Sequence, residues 1–189
     1  MPEIPLPERV QAAADRAASV GFEASSDPNL GRMLRTLAAA VKPNGRILEI
    51  GTGLGVGTAW LVEGVGGRTD VEVVTVESDP NRAQLAAEAN WPSFVKPVVG
   101  DALVIVPTLG SFSIVFADAE GGKIYGLDCS LEAVEPNGLL IFDDMRFSGR
   151  NPMIEEGVVA ARKRLLADER FVCAEMNWAS GVLLATRVK

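Results

Sequence analysis

The chain has 189 residues, 48% of them hydrophobic, enough to fill one core and too few for two ordinary domains. A formal charge of −7 opposes binding to polyanions, so no nucleic-acid partner is expected. Histidine is absent, which excludes a Ser-His-Asp or Cys-His catalytic unit, a His-ligated zinc site and an imidazole base; chemistry is left to carboxylates, lysine, backbone and cofactor.

The N-terminal stretch MPEIPLPERVQAAADRAASV has early acids and prolines but no basic run followed by an apolar one, so it does not read as a secretory signal. No window approaches the length needed to span a bilayer, and no membrane partner is expected. Cys129 and Cys173 are far apart and lack metal-like spacing, which suits a reduced, cytoplasmic setting.

ERVQAAADRAAS (8–19) predicts an Ala-rich helix, and Asp27-Pro28 before NLGRMLRTLAAAV supplies the N-cap and first-turn proline of a second. Residues 1–45 therefore form an N-terminal helical segment, and 46–189 an α/β core of the same domain. RILEI (46–50) follows a Pro-Asn-Gly turn and reads as a strand; Val56 to Val65 resumes a helical pattern. VEVVTVE (71–77) is the next strand, and Asp79-Pro80 opens a helix through AQLAAEA. KPVVG (96–100), SIVFAD (113–118) and LLIFDD (139–144) follow as strands. Between and after them come a short helix from Asp101, a helix including LEAVE and a helix from about Pro152 to Ala167. Apolar strands alternating with helices predict a doubly wound α/β fold, with a mostly parallel sheet covered on both faces. FVCAEMN and GVLLATRV are joined only by WAS, too short for a crossover, and predict a C-terminal antiparallel hairpin at the sheet edge, giving seven strands in all.

The stretch ILEIGTGLGVGTAW (47–60) places a glycine-rich turn between the first strand and its helix, where backbone can approach a ligand closely. A P-loop requires Gly-Lys-Ser/Thr, and here Gly57-Thr58-Ala59 follows. The dinucleotide spacing G-x-G-x-x-G also fails in its strict form, because Val56 or Thr58 stands where the third glycine belongs. Glu49, two residues before the loop, suits a ligand carrying an ammonium better than a diphosphate.

ILEIGTGLG resembles the first motif of class I S-adenosylmethionine-dependent methyltransferases. The resemblance implies that Glu49, Gly51, Thr52, Gly53, Gly55 and Gly57 hold the methionine portion of the cofactor. It further implies Glu77 on the ribose hydroxyls and Asp101 and Ala102 at the adenine, within a Rossmann-like methyltransferase fold. SIVFADAEGGKIY and LLIFDDM are similar to segments of the catechol and caffeoyl-CoA type O-methyltransferases, bacterial members included. That likeness implies a divalent ion held by Asp118, Asp143 and Asp144, with Asp118 also touching the cofactor. Oxygen-only ligands favour Mg²⁺, with Mn²⁺ or Ca²⁺ as alternatives. The implied activity is methyl transfer to a hydroxyl of a small acceptor, such as a vicinal diol or catechol, and relatives of this kind are often homodimers.

Asp118 and Lys123 are the candidate catalytic residues. The family lysine stands three residues after the first aspartate, where this chain has Gly121, and Lys123 lies two residues further on. The family usually has serine at the position of Gly57, and MRFSGRNPM, with Arg146 and Arg150, is short for an acceptor wall. Trp60 reads as core; Trp91 and Trp178 are open to a stacking role. Two rivals follow from these departures and from the fold: a metal-independent or inactive methyltransferase-like protein, and a nicotinamide-dependent oxidoreductase.

Overall fold

The computed structural model describes residues 4–146 and 151–189. Arg150 and the rest of 147–150 lie outside the described residues, as do the first three residues. The order is α1 (Glu8–Ser19), α2 (Pro28–Ala39), β1 (Arg46–Ile50), α3 (Val56–Val65), β2 (Glu72–Glu77), α4 (Pro80–Ala87), β3 (Val95–Val99) and α5 (Ala102–Ile105). After a 3₁₀ turn come β4 (Phe112–Ala117), α6 (Leu127–Ala133), β5 (Val134–Phe142), α7 (Pro152–Leu166), β6 (Phe171–Met176) and β7 (Val182–Arg187). No described helix is long and apolar enough to cross a membrane.

The seven strands lie in the order β3-β2-β1-β4-β5-β7-β6. The first five are parallel, and β7 runs antiparallel to both β5 and β6. The C-terminal hairpin thus forms as expected, and its second strand takes the inner place. Val182, Leu183 and Ala185 of β7 are buried, whereas β6 leaves Val172 exposed on the edge.

Adjacent strand residues point to opposite faces. Ile47, Val73, Ile114 and Phe116 pack with α1, α2 and α3 on one face. Leu48, Val74, Val115 and Leu140 pack with α6 and α7 on the other. Burial on both sides is why these strands read as continuous apolar runs rather than alternating ones.

The helical reading of LEAVE overruns. α6 stops at Ala133, and Val134 enters the sheet opposite Phe112. Val134 is β-branched and fully buried there, and this long-range pairing overrides the local helical pattern.

Trp60 is core, as expected. Its indole lies against Gly31, where an added Cβ would overlap the ring. α2 and α3 cross closely enough that a Cβ at Gly64 would overlap the carbonyl oxygen of Arg35 and lie 2.7 Å from Ala38 Cβ. Gly64→Ala should therefore cost about 1–3 kcal/mol by overpacking and lower the melting temperature by several degrees. Gly67→Ala, with nothing within 4 Å of the added carbon, is the control and should leave the melting temperature nearly unchanged.

Candidate active site

β1 lies between β2 and β4, so the connections leaving β1 and β4 diverge to opposite faces and open a crevice at the carboxyl rim. Gly51, Gly53 and Gly55 have φ values of +99°, +54° and +87°, in the left-handed region where glycine is at ease. The amides of Gly51 and Thr52 donate to Val76 O, Gly53 N–H donates to Glu77 Oε2 and Gly55 N–H donates to Thr52 O. The first three amides tie the loop to β2 and the last closes a turn within it, so none faces a ligand. What the loop offers a ligand is bare backbone and the first turn of α3, whose amides have no intrahelical acceptors.

A cavity of about 360 Å³ sits over this loop. Of the residues predicted to hold a cofactor, Gly51, Thr52, Gly53, Gly57, Glu77, Asp101, Ala102 and Asp118 line it. Glu49 and Gly55 do not. Gly55 backs onto Trp91, and Glu49 is buried behind Gly57.

Glu49 Oε2 accepts hydrogen bonds from the hydroxyls of Thr58 and, at 2.6 Å, Thr75. Thr75 in turn pairs with Thr52 at 2.5 Å, linking the buried carboxylate to the loop. Glu49 Oε1 has no hydrogen-bond partner among the described residues and occupies the place a Gly57 side chain would need, which is why glycine fits here. Desolvation raises the Glu49 carboxyl to about 7, against the lowering effect of the two threonines, with the nearby charge of Glu77 adding to the rise.

Glu77 is held from several sides. Its Oε1 accepts from Asp79 N–H and from Nε and Nη2 of Arg82, at 2.9, 3.1 and 2.7 Å. Its Oε2 accepts from Gly53 N–H at 2.8 Å, its one donor among the described residues, and so retains acceptor capacity. Asp101 caps α5 through Leu103 N–H. Arg82 also lines the cavity, and nothing in its spacing marked it beforehand.

A second cavity, of about 460 Å³, meets the first at Asp118, Ala119 and Glu120. Lys123, Ile124, Asp144, Ile154 and Val158 wall it. Asp118 Oδ2 accepts from Ser26 Oγ at 3.1 Å, a contact across the connection between α1 and α2 that no sequence spacing reveals. Burial, then the charge of Asp143, raises the Asp118 carboxyl to about 8 while the Lys123 ammonium opposes the rise. Asp143 is raised as well, chiefly by burial.

Lys123 reaches this centre in spite of its displaced spacing. Amides of Lys123, Ile124 and Tyr125 all donate to Glu120 O, Gly122 takes φ +83°, and Ser130 Oγ donates to Gly122 O. The turn folds the extra residues and aims the lysine inward, where its Nζ donates to Asp143 O at 2.8 Å. Asp118 and Asp143 are brought together with Lys123, and Asp144 walls the same cavity as Asp118; among the described residues, no three acids or cysteines are arranged to hold an ion. Asp143 Oδ1 accepts from Ser180 Oγ and from Asp144 N–H, while Asp118 is turned to Ser26.

Trp91 and Trp178 pack on the core and line neither cavity. Arg146 anchors the hairpin turn by donating to Ala179 O.

A family model described as a methyltransferase domain matches residues 48–145, more than half of the chain. A Mycobacterium avium protein provisionally named an O-methyltransferase is 32% identical over 192 residues, covering 93% of this chain and 84% of that one. The chain belongs to the O-methyltransferase family. Within this family, the catechol O-methyltransferase of Mycobacterium tuberculosis is 42% identical over 96 residues, 48% of this chain and 42% of that protein. A crystal structure of a Streptomyces achromogenes O-methyltransferase involved in tomaymycin synthesis, in complex with SAM, shares the fold. Its TM-score is 0.83 at 24% identity, over 98% of this chain and 92% of that one. For this O-methyltransferase, the matched residues run from within β1 to just past β5 and carry the glycine loop and the strand-end acids, while residues 22–26 and α7 complete the cavity walls from outside the match.

Proposed function

We infer that this O-methyltransferase binds S-adenosylmethionine over the glycine loop and methylates a hydroxyl of a small acceptor, such as a catechol or vicinal diol, in the adjoining cavity. The observation that carries the reading is the buried Glu49 carboxylate directly behind Gly57, its Oε1 lacking a donor among the described residues, so that a cation in the cavity at Gly57 is drawn to it. Acids at Glu77, Asp101 and Asp118 suit a cationic, hydroxyl-bearing nucleoside and oppose a diphosphate. When bound, the cofactor supplies a sulfonium methyl, to which the acceptor oxygen bonds as the C–S bond breaks and the sulfur keeps the electron pair.

The chain's own residues position the reactants. Glu77 Oε2 receives a ribose hydroxyl, Asp118 stands where the two cavities join, and Ile124, Ile154 and Val158 supply an apolar wall for the acceptor. The hydroxyl proton leaves to solvent through the open cavity. Holding two reactants at near-attack distance supplies much of the acceleration in such transfers, with effective molarities on the order of 10⁵ M or more.

Calorimetry with S-adenosylhomocysteine, followed by a methylation assay on a panel of catechols and non-aromatic diols, tests the reading. Binding of the nucleotide with methylation of at least one diol is expected. No affinity for it, together with binding of a nicotinamide dinucleotide, would sink the proposal.

A further inference from the structure

We propose that Arg16, on the N-terminal helix α1, is a positioning residue of the nucleotide cavity: it grips the glycine loop by a carbonyl oxygen, where β2 grips it by its amides, and so holds the shape that the nucleotide meets. The proposal rests on the methyl-transfer reading only for the identity of the nucleotide.

The loop is made of backbone that does not keep its own shape. Gly51, Gly53 and Gly55 all sit at positive φ, and glycine has many alternatives of similar energy. A loop free to sample them must be ordered each time a ligand binds, at the expense of affinity. Leu54 lies in the middle of this stretch, lines the nucleotide cavity and is only 2% exposed. Arg16 donates to Leu54 O through both Nε, at 3.1 Å, and Nη2, at 2.7 Å, across 38 residues of sequence. A guanidinium presents its donors in one rigid plane, so the pair fixes the direction of the carbonyl as well as its position.

α1 is built to deliver that contact. Val10, Ala13 and Ala17 bury one face of the helix in the core, and Arg16, half-buried, stands beside Ala17 in its last turn. The guanidinium also closes on the next residue of the loop: a Cβ added at Gly55 would lie 3.3 Å from Arg16 Nη2 and 2.7 Å from Trp91 Cζ2. Beyond Ser19 the helix ends in a glycine cap, in which Gly21, at φ +67°, donates to Ala18 O and Phe22 N–H donates to Ala17 O. This turn brings the Phe22 ring onto the same loop, 3.2 Å from where a Gly53 side chain would begin. Two contacts from one helix end thus bracket Gly53, Leu54 and Gly55.

Arg16 lies outside the lining of the cavity, so nucleotide affinity should depend on a side chain that does not reach the nucleotide. Calorimetry with S-adenosylhomocysteine on the full chain tests this. Arg16→Met keeps the apolar stem, loses both donors and is expected to bind about 10-fold more weakly than the wild type. Arg16→Lys returns one donor and should bind about 3-fold more weakly; it carries the comparison by itself if Arg16→Met does not fold. Val10→Ala loosens the packing of the same helix and leaves the Arg16 contact in place. It should lower the melting temperature by several degrees and keep the affinity within about 2-fold of the wild type. Unchanged affinity in the folded Arg16 variants overturns the proposal. So does a loss in Val10→Ala equal to theirs, which would reduce Arg16 to general support of the helix. A wild type that does not bind S-adenosylhomocysteine counts against the methyltransferase reading instead.

Discussion

Between pH 8 and pH 5 the affinity for S-adenosylhomocysteine should fall about 100-fold, and Glu49→Gln should remove most of that dependence. The Glu49 carboxyl titrates at about 7 because it is buried. An ammonium in the cavity at Gly57 lies just in front of this group and favours its ionised form. Binding therefore favours deprotonation: affinity is at its plateau above pH 7 and drops by ~10-fold for each unit below it. Isothermal calorimetry at three pH values would also register the proton released at low pH. A wild-type affinity that is flat from pH 8 to pH 5 would show that no cation meets Glu49.

Glu77→Ala should cost about 100-fold or more in nucleotide affinity, since hydrogen bonds to a charged group contribute about 1.5–3 kcal/mol each and more than one is lost. The substitution removes the ribose acceptor and also strands three donor groups. Gly53 N–H loses the oxygen that holds the glycine loop, Asp79 N–H loses its acceptor, and the Arg82 guanidinium loses its carboxylate partner. Arg82→Met separates these effects. It leaves Oε2 and its loop contact in place, so a loss of about 10-fold, from a carboxylate free to rotate, is expected. Equal losses in the two variants would mean that Arg82 itself contacts the nucleotide. Comparing S-adenosylhomocysteine with its 2′,3′-dideoxy analogue in each protein reads out the ribose contact directly, because only Glu77→Ala should cease to distinguish them.

The alternation of apolar runs with helix starts was enough to place the strands to within a residue or two, except for the start of β5, and the central ones read most plainly because a strand buried on both faces must be apolar throughout. The helix starts at Pro28, Pro80 and Pro152 were equally legible, since Asp27, Asp79 and Asn151 cap them through contacts only two or three residues long. The boundary at Ala133 was not. Nothing local distinguishes Val134 from the helix before it, and its partner Phe112 is 22 residues away in the chain.

For the site, the sequence by itself determined the glycine loop, the acids at the strand ends and the absence of any imidazole chemistry. These are properties of residue type and of position relative to a strand end. Only the tertiary structure decided what those acids face: that Glu49 is turned to two threonines with one oxygen unmatched, that Glu77 is clamped by Arg82, and that Ser26, Ser180 and Lys123 converge on the aspartates from separate parts of the chain. The physical reason is that the charge state and ligand preference of a carboxylate depend on its solvation and on the donors within hydrogen-bond reach, and here those donors are contributed by segments up to 92 residues apart.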